Sequence, residues 1–322
     1  MIKKLAVLTS GGDAPGMNNA IRAIVRAAKL NNIETFLVFN GYRGLHDGDI
    51  KLAKEYDVDA YNSQGGTFIG AARFPEFIKP EIRKVAQEQL LKLNIDALIV
   101  IGGDGSYQGA QRLHESGVKT VALPGTIDND IASSDFTIGY PTALQTIVEN
   151  IERVRDTMNS HHRVGIVEVM GHGCGDLALY SGLATGAEII VTNENPLSET
   201  QMAKIVKEQF AKGKRSVIIV VSEKIFPNLH DLEMAVQKLS GFETRAMSFS
   251  HIQRGGTPTA IERINASLMG LKAVESLCEG KSGIAIGIVD SKTITTPILE
   301  ALAKKRDNRS AKAKKYNDLN QV

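Results

Sequence analysis

The segment PGTIDND, at residues 124–130, places two carboxylates, a hydroxyl and a glycine directly after an apolar run. Asp128 and Asp130 are only two residues apart, and like charges at that spacing repel unless a cation or a reacting proton uses them. Residues of these types can hold a metal ion, accept a proton as a general base, or form a plain polar turn. All three interpretations are open on this segment alone.

Glycine-rich turns follow three other apolar runs, with the sequences SGGD at 10–13, GGDG at 102–105 and MGHG at 170–173. Glycine lets a backbone approach a ligand closely, and the first N–H groups of a following helix attract an anion. Gly11 and Gly12 precede such a helix, and Asp104 offers an oxygen ligand for Mg²⁺. Phosphate binding is therefore predicted. The alternative is that these are tight turns that bind no ligand. That alternative is less favoured for the turn at 10–13 or at 102–105 alone, and much less favoured for both turns together with PGTIDND.

Five basic residues stand in short polar segments that could also serve an anion: Arg73, Arg163, Arg245, His251 and Arg254. The planar fork of arginine recognises phosphate oxygens, so several converging arginines would bind an anionic substrate. A single arginine is as often an ordinary surface charge. The argument therefore depends on their convergence.

The 322 residues are 43% hydrophobic and 23% charged, the profile of a globular protein with one large or two ordinary domains. Lys and Arg number 38 against 36 Asp and Glu, so the overall charge favours neither nucleic acid nor a membrane as partner. Cys174 and Cys278 lack disulfide-framework or metal-site spacing and suggest reduced thiols. With no signal-peptide pattern and no apolar stretch near the roughly 20 residues of a membrane span, we expect a cytoplasmic protein.

Short continuous apolar runs recur along the chain and are typical of buried parallel strands. After Pro15, which suits a first helical turn, apolar residues from Met17 to Ala28 follow the helical period. Strands alternating with helices predict an α/β fold with parallel sheets, in which ligands bind beyond the carboxyl ends of strands. The four glycine turns would then share one cleft, and a boundary near Pro141 would separate two similar domains. The runs lie at 5–8, 35–38, 97–101, 118–123, 164–169, 217–221 and 284–289.

The C-terminal stretch KKRDNRSAKAKK, at 304–315, is basic. Such a stretch could contact an anionic partner, but a solvated helical end is the commoner case. The sequence assigns it no function.

Long motifs surround these residues in a fixed order. They are LTSGGDAPGMN, GGTFIGAARFPEF, IGGDGSYQGA, PGTIDNDI, FTIGY, RDTMNSHHR, GDLALYSGLA, GFETRA and HIQRGGTPTA. With these blocks the sequence resembles the bacterial ATP-dependent 6-phosphofructokinases along nearly its whole length. So many long blocks in order exclude coincidence.

The resemblance implies two similar Rossmann-like domains with mostly parallel sheets and an active site in the cleft between them. The larger, ATP-binding domain would comprise residues 1–140 and about 256–303, and the smaller, fructose 6-phosphate-binding domain residues 141–255. The tail 304–322 could pack on the smaller domain. The family also implies a homotetramer whose active and effector sites are shared between subunits.

The implied reaction is the glycolytic transfer of the γ-phosphoryl group of MgATP to the C1 hydroxyl of D-fructose 6-phosphate, giving fructose 1,6-bisphosphate and ADP. By the match of PGTIDND, Asp128 would be the general base and Thr126 would position the transferring group, with Asp130 alongside. Arg73 would bridge the transferring oxygens, and His172 completes the catalytic set.

ATP is the implied co-substrate and Mg²⁺ the implied cofactor, with Asp104 binding the metal directly or through water. Pyrophosphate-using relatives resemble this chain but carry Asp where Gly105 stands and Lys where Gly125 stands. A carboxylate at position 105 would crowd and repel the α-phosphate of ATP, whereas glycine leaves room. The expected nucleotide contacts are Gly12, Tyr42, Arg73, Phe74, Gly103, Asp104, Gly105 and Ser106.

The implied sugar-phosphate contacts come from PGTIDND and from segments in the second half of the chain. In the family, the counterparts of Arg163 and Arg245 reach in from a neighbouring subunit. The expected set is Thr126, Ile127, Asp128, Arg163, Met170, Gly171, His172, Glu223, Arg245, His251, Ile252, Gln253 and Arg254.

His172 departs from the family pattern, which usually has arginine there. Loss of a permanent cation would weaken transition-state stabilisation or make it pH dependent, because histidine titrates near neutrality. The alternative is that His172 still donates one hydrogen bond and little changes.

The family also implies an effector site between subunits, with ADP as activator and phosphoenolpyruvate as inhibitor. Arg22 and Arg26 are four residues apart and would point together. Yet Glu55 stands where many relatives have a basic residue and Asp59 where a small hydroxyl residue is common, so we expect weaker anion binding and attenuated allosteric control. The expected residues are Arg22, Arg26, Arg155, Gly186, Glu188, Lys212, Lys214 and Arg215, with Glu188 as a candidate Mg²⁺ partner.

Two other functions fit part of the sequence. Lipid and NAD kinases also use a GGDG turn to hold nucleotide phosphates, but neither needs PGTIDND or HIQRGG. A nucleotide sensor that has lost catalysis would explain His172, but the chain retains Arg73, Asp104, Thr126 and Asp128.

Overall fold

The computed structural model describes residues 2–322 and divides the chain into two compact units. Unit 1 holds the residues up to Ile127 together with Ile131–Thr142 and Arg254–Arg306. Unit 2 holds Asp128–Asp130, Ala143–Gln253 and Asp307–Val322. No helix in the described range is long and apolar enough to cross a membrane.

Strands and helices alternate through most of the chain. In chain order the strands are β1 (Lys4–Ser10), β2 (Glu34–Val38), β3 (Ile50–Leu52), β4 (Ala97–Gly102), β5 (Lys119–Thr126), β6 (Ile138–Gly139), β7 (Val164–Val169), β8 (Ile189–Val191), β9 (Val217–Ser222), β10 (Thr244–Ser248), β11 (Ile284–Val289) and β12 (Lys292–Pro297). The α-helices are α1 (Met17–Leu30), α2 (Gly41–Asp47), α3 (Pro80–Lys92), α4 (Asp104–Glu115), α5 (Tyr140–His161), α6 (Asp176–Thr185), α7 (Glu199–Ala211), α8 (Leu229–Ser240), α9 (Ala260–Cys278), α10 (Ile298–Ala303) and α11 (Ser310–Asn320).

The sheet of unit 1 has eight strands within the described residues, in the order β12-β11-β5-β4-β1-β2-β3, with β6 paired to the end of β5. The pairs β11–β12 and β2–β3 are antiparallel, and the others are parallel. Because alternate strand residues face opposite sides, each side of the sheet carries an apolar layer. Helices α2, α3, α4 and α10 contribute to the core on one side, and α1 packs against α9 and contacts β1 and β2.

Unit 2 has an all-parallel sheet in the order β10-β7-β9-β8. Apolar residues of β7, β8 and β9 pack with α7 and α8 in one core. Leu179 of α6, Ile190 of β8 and Ala313 of α11 form a smaller buried cluster. All-parallel sheets covered by helices are buried on both faces, which explains the continuous apolar strands.

The predicted α/β class with mostly parallel sheets is confirmed, and the predicted apolar runs lie in strands of the structure except for Val118, which precedes β5 by one residue. The predicted helix after Pro15 is α1, with Met17, Ala20 and Ile24 buried. Its start was predicted slightly too early, because α1 begins at Met17 with Gly16 as N-cap at φ 98°. Pro15 therefore precedes the helix and does not lie in its first turn.

Candidate active site

Two glycine turns and the end of a third strand lie at the same level of the unit 1 sheet; the turn predicted at Pro124–Thr126 is instead the last part of β5. Ser10 pairs with Gly102, and Gly102 pairs with Pro124, so the turns after β1 and β4 and the end of β5 lie side by side. The structure thus brings together, at one carboxyl edge, the predicted residues Gly12, Gly103, Asp104, Gly105 and Thr126.

The GGDG turn leads directly into α4. This helix begins at Asp104, and no side chain caps its N-terminus. Its first N–H groups have no helical acceptor and carry the positive end of the helix dipole, which suits an anion. A side chain added at Gly103 or Gly105 would meet no atom within 4 Å, so the space above the turn is open.

Asp104 is exposed at the start of α4. Among residues 2–322, no three His, Cys, Asp or Glu side chains lie close enough together to hold a metal ion by themselves. Mg²⁺ commonly uses one or two carboxylates, water and substrate phosphates in place of an all-protein cage. A lone carboxylate beside an open phosphate-binding turn fits that pattern.

Tyr42 supports the GGDG turn from behind. Its hydroxyl donates to the carbonyl oxygen of Ser106 at 2.7 Å, and its ring stacks on Phe77 with centroids 4.1 Å apart. A Cβ on Gly109 would lie 2.7 Å from the Tyr42 ring, so only glycine allows this packing. Burial raises the pKa of Tyr42 well above its ordinary value. The side chain is therefore a neutral brace for Ser106.

The predicted nucleotide residues Arg73 and Phe74 precede a short 3₁₀ turn at Pro75–Ile78. Phe74 is half-buried, and the guanidinium of Arg43 lies 4.7 Å from its ring centroid. Arg73 is exposed. Ser106, also predicted, donates its hydroxyl to the carbonyl oxygen of Ser10 at 3.2 Å and so ties the GGDG turn to the end of β1.

Arg254 lies against the turn after β1. Its Nη1 donates to the carbonyl oxygen of Asp13 at 3.2 Å, and a Cβ on Gly12 would meet the same nitrogen at 2.5 Å. Arg254 was predicted for the sugar phosphate and Gly12 for the nucleotide. The structure brings these two residues into contact within unit 1.

Helix α1 begins some residues beyond the glycine turn. Asp13–Gly16 separates Gly12 from the helix, and a Cβ on Gly16 would lie 2.7 Å from Oε1 of Glu262. A buried carboxyl therefore packs against the residue that precedes the helix. Phosphate binding at Gly11 and Gly12 stays a prediction, and it would use the backbone of the turn.

Glu262 also holds the start of α5. Its Oε1 accepts from the N–H of Gly139 at 2.9 Å, and its Oε2 accepts from the N–H and hydroxyl of Thr142 at 3.3 and 3.2 Å. Burial raises the pKa of Glu262 to about 8 against the opposing effect of these hydrogen bonds. Glu262 is thereby connected to the carboxyl edge of the unit 1 sheet, because its partner Gly139 of β6 pairs with Thr126 of β5.

Thr126 is almost buried, at 9% exposure, and Thr137 donates its hydroxyl to the Thr126 carbonyl oxygen at 2.6 Å. Ile127 is fully buried, so its side chain belongs to the core, and its predicted contact with the substrate stays a prediction. These contacts fix the last residues of β5.

Unit 2 holds the predicted base. Asp128 is 8% exposed, and the following Asn129 adopts φ 52°. The Asn129 amide donates to Oδ2 of Asp176, the first residue of α6, at 2.9 Å. Sequence reasoning gave neither Asn129 nor Asp176 a role.

The turns after β7 and β9 are braced by side chains. Met170 donates its N–H to Oε1 of Gln253 at 3.0 Å, and His172 donates its N–H to Oε1 of Glu223 at 2.9 Å. Gln253 is fully buried and also donates to the Ser250 carbonyl oxygen at 2.9 Å. Its side chain therefore supports the turn and has no free face for a sugar.

His172 does not stand alone as a basic group. Nζ of Lys224 lies 3.4 Å from its Nδ1, which places a lysine beside this histidine. His251 and Ile252 are exposed in the 3₁₀ turn Ser250–Arg254.

Arg163 and Arg245 lie at the opposite edge of the same sheet. Arg163 precedes β7, and Arg245 is the second residue of β10, level with Gly165. Both guanidiniums contact Glu243, Arg163 through Nε at 2.7 Å. The Arg163 hydrogen bond is the main cause that lowers the pKa of Glu243. A six-residue strand spans roughly 20 Å, so these arginines cannot serve the same site as the turns after β7 and β9 of their own chain.

A sequence model described as Phosphofructokinase matches residues 4–277. An ATP-dependent 6-phosphofructokinase of Mycoplasmopsis pulmonis is 59% identical over 326 aligned positions that cover all of both chains. The chain belongs to the phosphofructokinase family.

Solved structures of the family share the fold. Phosphofructokinase from Saccharomyces cerevisiae aligns with a TM-score of 0.87 at 36% identity, covering 99% of this chain and 47% of that longer one. A pyrophosphate-dependent phosphofructokinase from Marinobacter aquaeolei aligns with a TM-score of 0.84 at 19% identity, covering 100% of this chain and 92% of the other. The fold is therefore common to family members named for different phosphoryl donors.

The residues predicted for the family's effector site form two clusters. In unit 1, Asp59 accepts from Nε of Arg22 at 2.5 Å and also binds Nη2 of Arg26. Hydrogen bonds from Arg26 and then Arg22 lower the pKa of Asp59. Both predicted phosphate-binding arginines are thus paired with a carboxylate that the sequence had already marked as a departure from the family.

The second cluster lies in unit 2 around Glu188, which is 1% exposed. Its Oε1 is 3.3 Å from Nζ of Lys214 and 3.6 Å from Nη1 of Arg155, and its Oε2 accepts from the N–H of Ile218 at 2.8 Å. Both oxygens are engaged, which leaves Glu188 poorly suited as a Mg²⁺ ligand. The other predicted residues do not contact Glu188 in this way. Nζ of Lys212 donates to the carbonyl oxygen of Gln321 in the C-terminal tail, and Arg215 is exposed. Gly186 is the C-cap of α6, with φ 62°.

The sequence reasoning missed Glu243, Lys224, Asp176 and Glu262. The signal for Glu243 was weak: it stands two residues before Arg245, but it precedes β10, a strand that the sequence did not predict. No local signal pointed to Asp176 or Glu262, since their partners are distant in sequence.

Proposed function

We propose that this chain transfers the γ-phosphoryl group of MgATP to the C1 hydroxyl of D-fructose 6-phosphate, giving fructose 1,6-bisphosphate and ADP in cytoplasmic glycolysis. Unit 1 would bind the nucleotide and unit 2 the sugar phosphate. The observation that best supports this is the alignment of the glycine turns after β1 and β4 with the end of β5 at one sheet edge, with Asp104 exposed and Thr126 held by β6.

The residues at the carboxyl edge of the unit 1 sheet and in PGTIDND would then have the following roles. The first N–H groups of α4 and the turn at Gly11–Gly12 would bind phosphate oxygens. Asp128 would accept the proton of the attacking hydroxyl, while Thr126 and Arg73 would position and stabilise the transferring oxygens. Asp104 would hold Mg²⁺ together with water and the phosphates, and the ion would supply charge neutralisation there.

ATP is the proposed donor because both positions that distinguish pyrophosphate users are glycine here. The space beyond Gly105 is open, which leaves room for an α-phosphate. At Gly125 a Cβ would meet the Met17 methyl carbon Cε at 2.9 Å and the Gly102 nitrogen at 3.0 Å, so even a small side chain requires a shift there.

The test is phosphorylation of fructose 6-phosphate by purified protein with ATP or with pyrophosphate. We expect turnover with ATP, and a loss of about 10²- to 10⁴-fold in kcat for Asp128→Asn, the range for a general base. Asp231→Asn, which removes an exposed carboxylate from α8, is the control. Preference for pyrophosphate would overturn the donor, and an active Asp128→Asn variant would overturn the base.

We also propose that the active site is completed by a second subunit within a homotetramer. Arg163 and Arg245 lie at the amino edge of the unit 2 sheet, and Met170, His172 and Glu223 at its carboxyl edge. Only another copy of the chain could bring the two arginines to this site.

Mixing two inactive variants tests the shared site. Arg163→Ser and Asp128→Asn should each be inactive alone, but dissociated and reassembled together they should recover activity, since one protomer supplies Arg163 to the intact Asp128 of its neighbour. Failure to recover activity in mixed oligomers, checked by light scattering, would refute sharing.

Attenuated effector control is the third part of the proposal. Because Asp59 already pairs with Arg22 and Arg26, an effector phosphate must displace it. We expect phosphoenolpyruvate to shift fructose 6-phosphate saturation weakly in the wild type and more strongly in Asp59→Ser. A large shift in the wild type at modest effector concentration would refute attenuation.

A further inference from the structure

The basic tail is a packed part of unit 2. Ala313 and Asn317 of α11 are buried, whereas Lys312, Lys314 and Lys315 are exposed. The Asn317 side chain accepts from the N–H of Ile190 at 2.7 Å and donates to the Ile190 carbonyl oxygen at 2.9 Å. It thus pairs with the backbone of edge strand β8 as a neighbouring strand would. The lysines that suggested a solvated helix therefore form the exposed face of α11, and its other face packs against unit 2.

Arg309, just before α11, forms an ion pair with Asp176. Nε lies 2.9 Å from Oδ1, and Nη2 donates to Oδ2 at 3.2 Å. The side chains are 15% and 1% exposed. Nη1 of Arg309 also donates to the Tyr180 hydroxyl at 2.8 Å. A carboxylate this deeply buried requires its cation, because an unpaired buried charge is strongly unfavourable.

Asp176 in turn binds the residue next to the proposed base. Its Oδ2 accepts from Nδ2 of Asn129 as well as from Arg309. Asn129 has φ 52°, a conformation uncommon outside glycine and asparagine, and its side chain is buried. Since Asn129 separates Asp128 from Asp130, the orientation of the Asn129 amide and the direction of both carboxylates are linked through two peptide planes.

We propose that Arg309 and Asp176 are positioning residues that fix the Asp128–Asp130 segment through Asn129, and so set the place of the Asp128 carboxylate. This rests on the proposed function for its kinetic consequence. Arg309 holds the Asp176 carboxyl in place, Asp176 holds the Asn129 amide, and the amide holds the turn. The tail, to which the sequence assigned no function, would thereby affect the position of the proposed base without contacting the substrate.

The experiment compares Arg309→Met with Lys312→Met, which removes the same charge from the exposed face of the tail. In Arg309→Met, hydrogen exchange should rise about tenfold at residues 127–131 and 174–180 and remain unchanged in β7 and β9. The kcat should fall about 10- to 100-fold, the usual cost of a misplaced reacting group, with KM for ATP within about twofold. Lys312→Met should match the wild type in both measurements.

Arg309→Lys keeps the charge but loses the two-pronged contact, so we expect intermediate values; it replaces Arg309→Met if that variant does not fold. Unchanged exchange at 127–131, a uniform rise across unit 2, or a kcat within twofold of wild type would each overturn the proposal. An inactive wild-type protein would refute the proposed function instead. The hydrogen-exchange comparison would still show whether Arg309 fixes the Asp128–Asp130 segment.

Discussion

The carboxyl edges of the two sheets are built differently. In unit 1, the GGDG turn is held from behind by Tyr42 and Ser106 and has open space in front of Gly103 and Gly105. In unit 2, side chains brace the turns directly: Gln253 holds Met170, Glu223 holds His172, and Asp176 holds Asn129. One edge presents free backbone, and the other presents fixed side chains.

The proposed ligands explain this difference. A triphosphate offers many equivalent oxygens, which free N–H groups at turns and helix starts can bind without a preformed side-chain pocket. A sugar phosphate is recognised by the positions of its hydroxyls, which requires donors and acceptors held in place by a supporting shell. An open edge therefore suits the nucleotide and a braced edge the sugar.

Glu262 is an exception in unit 1, because its buried carboxyl accepts hydrogen bonds from Gly139 and Thr142 and so braces the backbone as side chains do in unit 2. The folded-state pKa of about 8 lies above the ordinary 4.5, so the unfolded chain loses this proton first as pH rises. Its contribution to stability is intact below about pH 4.5 and falls by about 1.4 kcal/mol per pH unit until about pH 8, a few kcal/mol in all.

Glu262→Gln removes this dependence and keeps an acceptor for the Gly139 N–H, although its amide NH₂ no longer accepts from the Thr142 N–H and adds a cost that does not change with pH. We expect the variant to gain stability over the wild type steadily between pH 5 and pH 8. Denaturant unfolding across this range measures it, with Glu275→Gln on the exposed face of α9 as control. Parallel curves for Glu262→Gln and wild type would show that the carboxyl is ionised in the folded protein.

The sequence predicted the open edge better than the braced one. Continuous apolar runs mark buried parallel strands, and glycines after them mark the turns, so β1, β4 and β5 with their turns follow from local pattern. The braces join residues far apart in sequence, such as Arg309 with Asp176, and nothing near either residue shows the pairing. At Thr259–Glu262 the local pattern is even misleading: it reads as a capping box, yet the glutamate side chain turns to Gly139 and Thr142.

Two strands of unit 2 were missed for different reasons. β10 has the sequence TRAMS, without an apolar run, and carries Arg245; it is defined by its neighbour β7. β8 is apolar throughout, with the sequence IIV, but its three residues are too few to mark a strand without the neighbouring β9.

A charge at Gly105 tests whether the open edge serves ATP. Gly105→Asp fits the space and the helix start, so the fold should be preserved. A carboxylate about 5 Å from a phosphate oxygen costs about 3 kcal/mol, or roughly 100-fold in kcat/KM for ATP. Gly105→Asn, with the same shape and no charge, should lose much less. Equal losses in the two variants would mean that bulk and not charge matters, and no loss in either would place ATP elsewhere.

The smallest expected effect concerns His172 on the braced edge. Lys224 already places a cation 3.4 Å from its ring, so a second one adds little. Exposed charge interactions are worth about 0–1 kcal/mol, and His172→Arg should therefore change kcat by less than about fivefold and leave its pH profile unaltered. Lys224→Met should lower kcat by a similar factor, because it removes the cation that compensates for the missing arginine. The opposite result would be a rise in kcat of more than tenfold in His172→Arg, or a flatter pH dependence of kcat between pH 6 and pH 9. Either would show that histidine at this position lowers turnover, and that the hydrogen bonds bracing the turns do not by themselves explain how the carboxyl edge of unit 2 works.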